Sequence, residues 1–166
     1  MRSSGATGDG FGESSIEVNV AAGRAGHEKW IELHSLQWGV GRGISSPVGH
    51  SAERESSAPS ISEVTITKDM DKASPILFGQ ACWGEGTKCE LHLVKTDKGK
   101  LSTYMTYELT NTLISGYSVS SGGDKPTESL SLNFTKVEMK YIPHDAGTKG
   151  SGPVPAMYDL ATGKGQ

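Results

Sequence analysis

The sequence predicts an all-β chain with one short α-helix, arranged as an antiparallel sandwich or barrel of roughly seven or eight strands, and three observations carry that prediction. Apolar and polar residues alternate with the period of half-buried strands in several separate runs. Gly supplies 22 of the 166 residues, about twice the usual share of about 7%, with no G-X-Y period, which suits a turn-rich β protein. Only one stretch carries a helix start signal. A chain of this length can bury roughly 70% of its unfolded surface, enough for one domain with a real core.

Taken in order, residues 1–15 are rich in Gly and poor in large apolar side chains, so they read as a flexible N-terminal segment ahead of a domain over residues 16–166. Ile16, Val18 and Val20 alternate with Glu17 and Asn19 as in a strand, and residues 23–26 read as a turn. The run WIELHSLQWGV, residues 30–40, is the next strand, bounded by Gly39, Gly41 and Gly43. Within it Leu36 and Trp38 are the bulky members, so Ser35 and Gln37 fall on the opposite face. Residues 44–60 are Ser, Pro, Gly and charge, the composition of a long exposed loop. Residues 61–68 return to alternation, with Val64 and Ile66 facing away from Glu63, Thr65 and Thr67.

The helix follows. Ser74 reads as its N-cap, Pro75 as its first position, Leu77 and Ala81 as one face, and the end falls near Trp83 and Gly84. Residues 88–95 and 101–109 read as strands joined by the hairpin signal Asp97, Lys98, Gly99. Residues 113–120 and 127–142 follow. In the last of these Leu130, Leu132 and Phe134 take even positions but Val137, Met139 and Tyr141 take odd ones. One residue of slip inverts every side chain, so the run holds a β-bulge or passes between sheets near Thr135. Residues 157–160 form a short edge segment.

Composition narrows the function. A formal net charge of -3 gives no basic footprint for nucleic acid. No stretch near the start resembles a cleavable signal and none reaches the roughly 18 apolar residues of a membrane span, so a cytoplasmic start and no membrane insertion are expected. Cys82 and Cys89 match no redox or zinc spacing and read as buried or semi-buried thiols. His27, His34, His50, His92 and His144 show no ligand spacing, so no metal is expected. The glycines at 39, 41 and 43 lack the Lys-Ser/Thr of a phosphate loop, and no G-x-S-x-G elbow occurs. No catalytic residue and no cofactor is therefore expected. Lys88, Glu90, Lys95 and Glu108 alternate along exposed strand positions, either as a solvated face or as charges meeting across a joint between subunits.

Three runs resemble the haemolysin-coregulated (Hcp) family of type VI secretion: WIELHSLQWGVGRGISSPVG, SEVTITKDMDKASPILF, and LISGYSVSSGGDKPTESLSLNF followed by TKVEMKYIP. The specific features are the K-x-x-D-x-x-S-P lead-in to the helix and the P-T-E-S-L-S-L-N-F strand. The resemblance implies a two-sheet β-barrel with a flanking helix, six copies closing into a homo-hexameric ring, and rings stacking into a tube. Sheath and spike components and effector proteins are its implied partners, with export from the cytoplasm without a cleaved signal. In such a ring Ser35 and Gln37 are candidates for the lumen. The polar loop makes Gly49, His50, Glu53, Arg54 and Glu55 candidates for the ring-to-ring joint. The chain departs from the family at its front, where Arg2 to Gly8 is polar instead of an apolar strand. A monomeric ligand-binding β-barrel is the alternative.

Overall fold

The computed structural model describes residues 14–18, 27, 30–45, 55–97, 100–143 and 152–166, with the backbone alone at 14–18, 45, 55, 56, 96, 97, 100 and 101. The strands in chain order are β1 (Ser14–Val18), β2 (Ile31–Leu33), β3 (Ser35–Gln37), β4 (Val40–Gly41), β5 (Ile44–Ser45), β6 (Glu55–Ser56), β7 (Ser60–Ile61) and β8 (Val64–Asp69). After the helix α1 (Ser74–Trp83) come β9 (Thr87–Asp97), β10 (Lys100–Ser120), β11 (Thr127–Asn133), β12 (Lys136–Tyr141), β13 (Val154–Asp159) and β14 (Lys164–Gly165). The expected 1–15 segment lies outside the described residues up to position 13.

The strands curl into two sheets that share β10. In the first sheet β10 pairs antiparallel with β9 on one side and with β12 on the other, and β13 and β14 continue outward from β12. In the second, the C-terminal half of β10 pairs with β11, then β8, then β3. The architecture is the expected one, with one local exception: β1 runs parallel to both β2 and β9. A parallel neighbour needs a crossover of about a dozen residues, and the chain between β1 and β2 is long enough to supply it.

Alternation builds the core. Leu130 lies opposite Ile66 and Leu132 opposite Val64 across β11 and β8. These four pack with Leu33, Leu77, Leu91, Leu109, Phe134 and Val137 in one buried cluster. The parity change in residues 127–142 is a change of sheet. β11 stops at Asn133, buried Phe134 and Thr135 turn the chain, and β12 continues in the other sheet, with Thr135 N–H donating to Thr110 O at 3.1 Å.

Residues 101–109 and 113–120, read as two strands, are halves of the single bent strand β10. Asn111 at the bend has a φ of 52°, the left-handed conformation that Asn tolerates better than most residues. Gly86 makes room beside it, since a Cβ there would lie 1.8 Å from Asn111 Oδ1 and push that side chain aside. The Asp97 to Lys100 hairpin is present in register.

The expected loop over 44–60 is partly a ladder. β4 pairs with β7 and β5 with β6, forming a narrow two-stranded arm. Ser62 Oγ accepts from Gly39 N–H at 2.8 Å and Ser57 Oγ from Gly43 N–H at 2.9 Å. Ser57, which reads locally as loop composition, and Ser62 thus complete the rungs. Residues 46–54 lie outside the described residues.

α1 has the expected length, but its cap is Ala73, which makes no side-chain hydrogen bond. Ser74 instead sits inside the first turn, buried, its hydroxyl accepting from Asp71 N–H at 2.9 Å. Cys89 is buried as expected, and burial pushes its thiol up to about 12. Cys82 is exposed. The helix packs inward through Leu77, and Cys82 lies outside that stripe.

Candidate assembly surfaces and a buried ion pair

Four polar residues that the sequence scatters over sixty positions meet under α1. Lys68 and Glu128 sit opposite each other on β8 and β11, on the core side, and both are 0% exposed. Lys68 Nζ donates to Glu128 Oε2 at 2.8 Å, to Asp69 O and to Ser74 Oγ, and lies 3.0 Å from Asp71 Oδ1. The Tyr117 hydroxyl donates to the other oxygen, Glu128 Oε1. Asp71 Oδ1 also accepts from Ala73 N–H at 2.8 Å. The lysine, aspartate and serine of K-x-x-D-x-x-S-P and the glutamate of P-T-E-S-L are therefore one cluster.

Burial pushes the Glu128 carboxyl upward, but the donors Lys68, Tyr117 and Ser74 outweigh it and hold the group below its usual range. Tyr117 is pushed up to about 12, by burial and by its bond to Glu128. Each charge has its partners and neither is open to solvent, so the cluster is a clamp that fixes α1 to β8 and β11. It was legible as a parity signal. Lys68 continues the inward positions of Val64 and Ile66, and Glu128 continues those of Leu130 and Leu132. Two opposite charges at inward positions of two strands should pair, yet nothing local says that those strands are neighbours.

Ser35 and Gln37 are exposed while Leu36 and Trp38 pack against the core. Ser35 lies opposite Thr67 and Gln37 opposite Thr65; Thr67 and Thr65 face Ser129 and Ser131, and Ser129 faces Ser118. The outer face of the second sheet is thus a field of hydroxyls with the amides of Gln37 and Asn133, and it ends at Asp69, which contacts His34 and Lys125.

The outer face of the first sheet differs. Glu90, Glu108 and Glu138 stand side by side on β9, β10 and β12. Lys88 bridges Glu108 at 3.1 Å and Glu90 at 3.2 Å, and Lys140 bonds Glu138 at 2.8 Å. Glu108, with Glu90, holds Lys88 above the ordinary lysine range against the opposing effect of burial. Of the charges read as a solvated face or a joint, Lys88, Glu90 and Glu108 have partners within the chain.

Of the histidines, two meet. His27 and His92 are 2.9 Å apart, with Trp30 4.2 Å from the His92 ring. Burial, then the neighbouring His27, pushes His92 down to about 4. His34 contacts Asp69 at 3.0 Å, and His50 and His144 lie outside the described residues. Among the described residues no three His, Cys, Asp or Glu side chains gather as metal ligands, and no helix is long and apolar enough to cross a membrane. Of the loop candidates, Gly49, His50, Glu53 and Arg54 lie outside the described residues, and Glu55 is described in its β6 backbone alone.

Two apolar surfaces have no signature in the sequence. On α1, Ile76, Phe78 and Trp83 are exposed, Trp83 at 75%. Between the base of the arm and the β12–β13 pair runs a half-open groove of about 210 Å³, walled by Trp38, Val40, Ile61, Met139, Ala156 and Tyr158.

A family profile described as "Type VI secretion system effector, Hcp" matches residues 17–141. Protein hcp1 of Pseudomonas aeruginosa is 32% identical over 98 residues, a match that spans 57% of this chain and 60% of that protein. A solved structure of a type six secretion system protein superposes with a TM-score of 0.72 at 27% identity, over 83% of this chain and 87% of the other. Hcp1 from Salmonella typhimurium shares the fold, with a TM-score of 0.64 at 23% identity over 84% of this chain and 87% of its own. The profile covers most of the chain, including both motif runs that build the buried clamp. The chain belongs to the Hcp family of type VI secretion.

Proposed function

We propose that this chain is a non-catalytic subunit of the type VI secretion inner tube. Six copies close into a ring, rings stack within the sheath, and the tube leaves the cytoplasm with its spike, without a cleaved signal, carrying effectors in its lumen. The observation that supports this best is the Hcp fold combined with two separate exposed apolar surfaces on one subunit, since surfaces of that kind mark contacts between proteins. The hydroxyl face with Ser35 and Gln37 lines the lumen in this reading, so cargo meets mainly hydrogen-bonding groups. The arm, whose chain runs on through Gly49, His50, Glu53, Arg54 and Glu55, forms the ring-to-ring joint.

Native mass spectrometry of the full chain at micromolar concentration should give six-subunit rings, and monomer alone would overturn the reading. Gln37→Arg should leave ring mass unchanged and alter retention of a bound effector. Unchanged retention would return Ser35 and Gln37 to ordinary solvent-facing residues. A monomeric ligand-binding barrel is the second reading, favoured by the apolar groove at the arm, and the same mass measurement separates the two.

A further inference from the structure

We infer that the joint between neighbouring subunits is a knob-in-groove contact, in which Trp83 of one copy enters the apolar groove of a second copy. The inference rests on the ring reading and names the surfaces that make it.

The knob is presented for binding. Ile76 and Trp83 are two helical turns apart and share one face of α1, exposed at 48% and 75%. A helix with apolar residues both inward and outward expects a partner on its outer side. The Trp83 indole lies along the helix against Gly79, where a Cβ would come within 3.1 Å of Cζ2. Gly79 thus leaves room for the indole on the helix surface. Trp is also the residue type most often found as an interface anchor.

The groove fits a macromolecular occupant. Val40 in its wall is 63% exposed, and a small molecule filling the groove would leave part of it wet, whereas a second subunit would cover it. Charge favours the same match. Glu85 follows Trp83 closely in the chain, while Arg42 follows β4, whose Val40 lines the groove, and Lys164 lies on β14 beside β13, all three exposed. Knob and groove share no residue, so one subunit can use both at once. A contact between two different patches is heterologous, and it closes into a ring or runs on as a filament.

The test uses the full chain with Trp83→Ala, which removes the knob, and Ala156→Trp, which fills the groove. Each variant alone should run at monomer mass at concentrations where the unmodified chain forms six-subunit rings. Mixed one to one they should give a heterodimer and stop there, because one keeps its groove and the other its knob. Formation of that heterodimer shows that both are folded. As a second check, Glu85→Arg should weaken rings and Arg42→Glu in the same chain should restore them. Rings of unchanged mass from either single variant would overturn the joint and leave the ring reading standing. A monomeric unmodified chain would overturn the ring reading and the joint with it.

Discussion

Lys68 and Lys88 each bind a glutamate across neighbouring strands at about 3 Å, but the first pair has no exposed surface and the second is about one third exposed. The chemistry is the same and the surroundings are opposite. Under α1 the ions have exchanged water for a complete set of protein partners, so each depends on the others. On the outer face of the first sheet, water replaces any partner that is lost. Breaking the buried pair on one side therefore strands a charge beneath α1. The surface pairs adjust an already formed sheet.

The largest expected effect comes from breaking the buried pair on one side. Glu128→Ala leaves Lys68 charged and buried with half-exposed Asp71 as its carboxylate partner, and should cost up to roughly 3–5 kcal/mol in urea unfolding. Lys68→Met combined with Glu128→Leu should recover most of that loss. Near-additive single losses in the double variant would mean that the pair is not coupled. Tyr117→Phe removes one donor to a charged oxygen and should cost about 1.5–3 kcal/mol in the same measurement.

Acid offers a second way to sharpen the contrast. Glu128 has a depressed carboxyl, so its contribution is present above the unfolded value of about 4.3 and is lost as pH falls through the folded value. His92 is held neutral down to about 4, so the unfolded chain binds its proton first, and stability declines between pH 6.5 and about 4 before the carboxylates respond. A His92→Gln chain should lose the upper part of that decline and keep the lower part. An unchanged profile would show that His92 titrates alike in both states.

The smallest effect belongs to the surface. Lys88→Ala should change stability by roughly 0–1 kcal/mol, and the difference should shrink as salt is raised from low ionic strength. A loss comparable to that of Glu128→Ala would mean that Lys88 works under cover.

Much of the fold was legible because strand geometry writes itself into sequence with a period of two. The β8 alternation, the β9–β10 hairpin, the length of α1 and the inward placement of Leu36 and Trp38 all followed from it. The arm was missed because its rungs join Val40 to Ile61 and Ile44 to Ser56, and Ser looks like loop until its partner strand is known. Ser74 was read as a cap because the local pattern fits one; the structure turns its hydroxyl toward Asp71 and Lys68 instead. Of the proposed lumen residues the exposure of Ser35 and Gln37 was legible by alternation, while the hydroxyl field around them required the order of four strands.

The sequence by itself determined the period of each strand, the single helix, the family motifs and the odd charges at inward positions, since all of these depend on neighbours a few residues away. Tertiary structure decided which distant elements met. It brought Lys68 to Glu128, moved the chain between sheets at Phe134, bent β10 at Asn111 beside Gly86, and left Trp83 exposed. Those outcomes depend on sheet order and on how α1 lies against β10, and long-range packing of that kind leaves no local period to read.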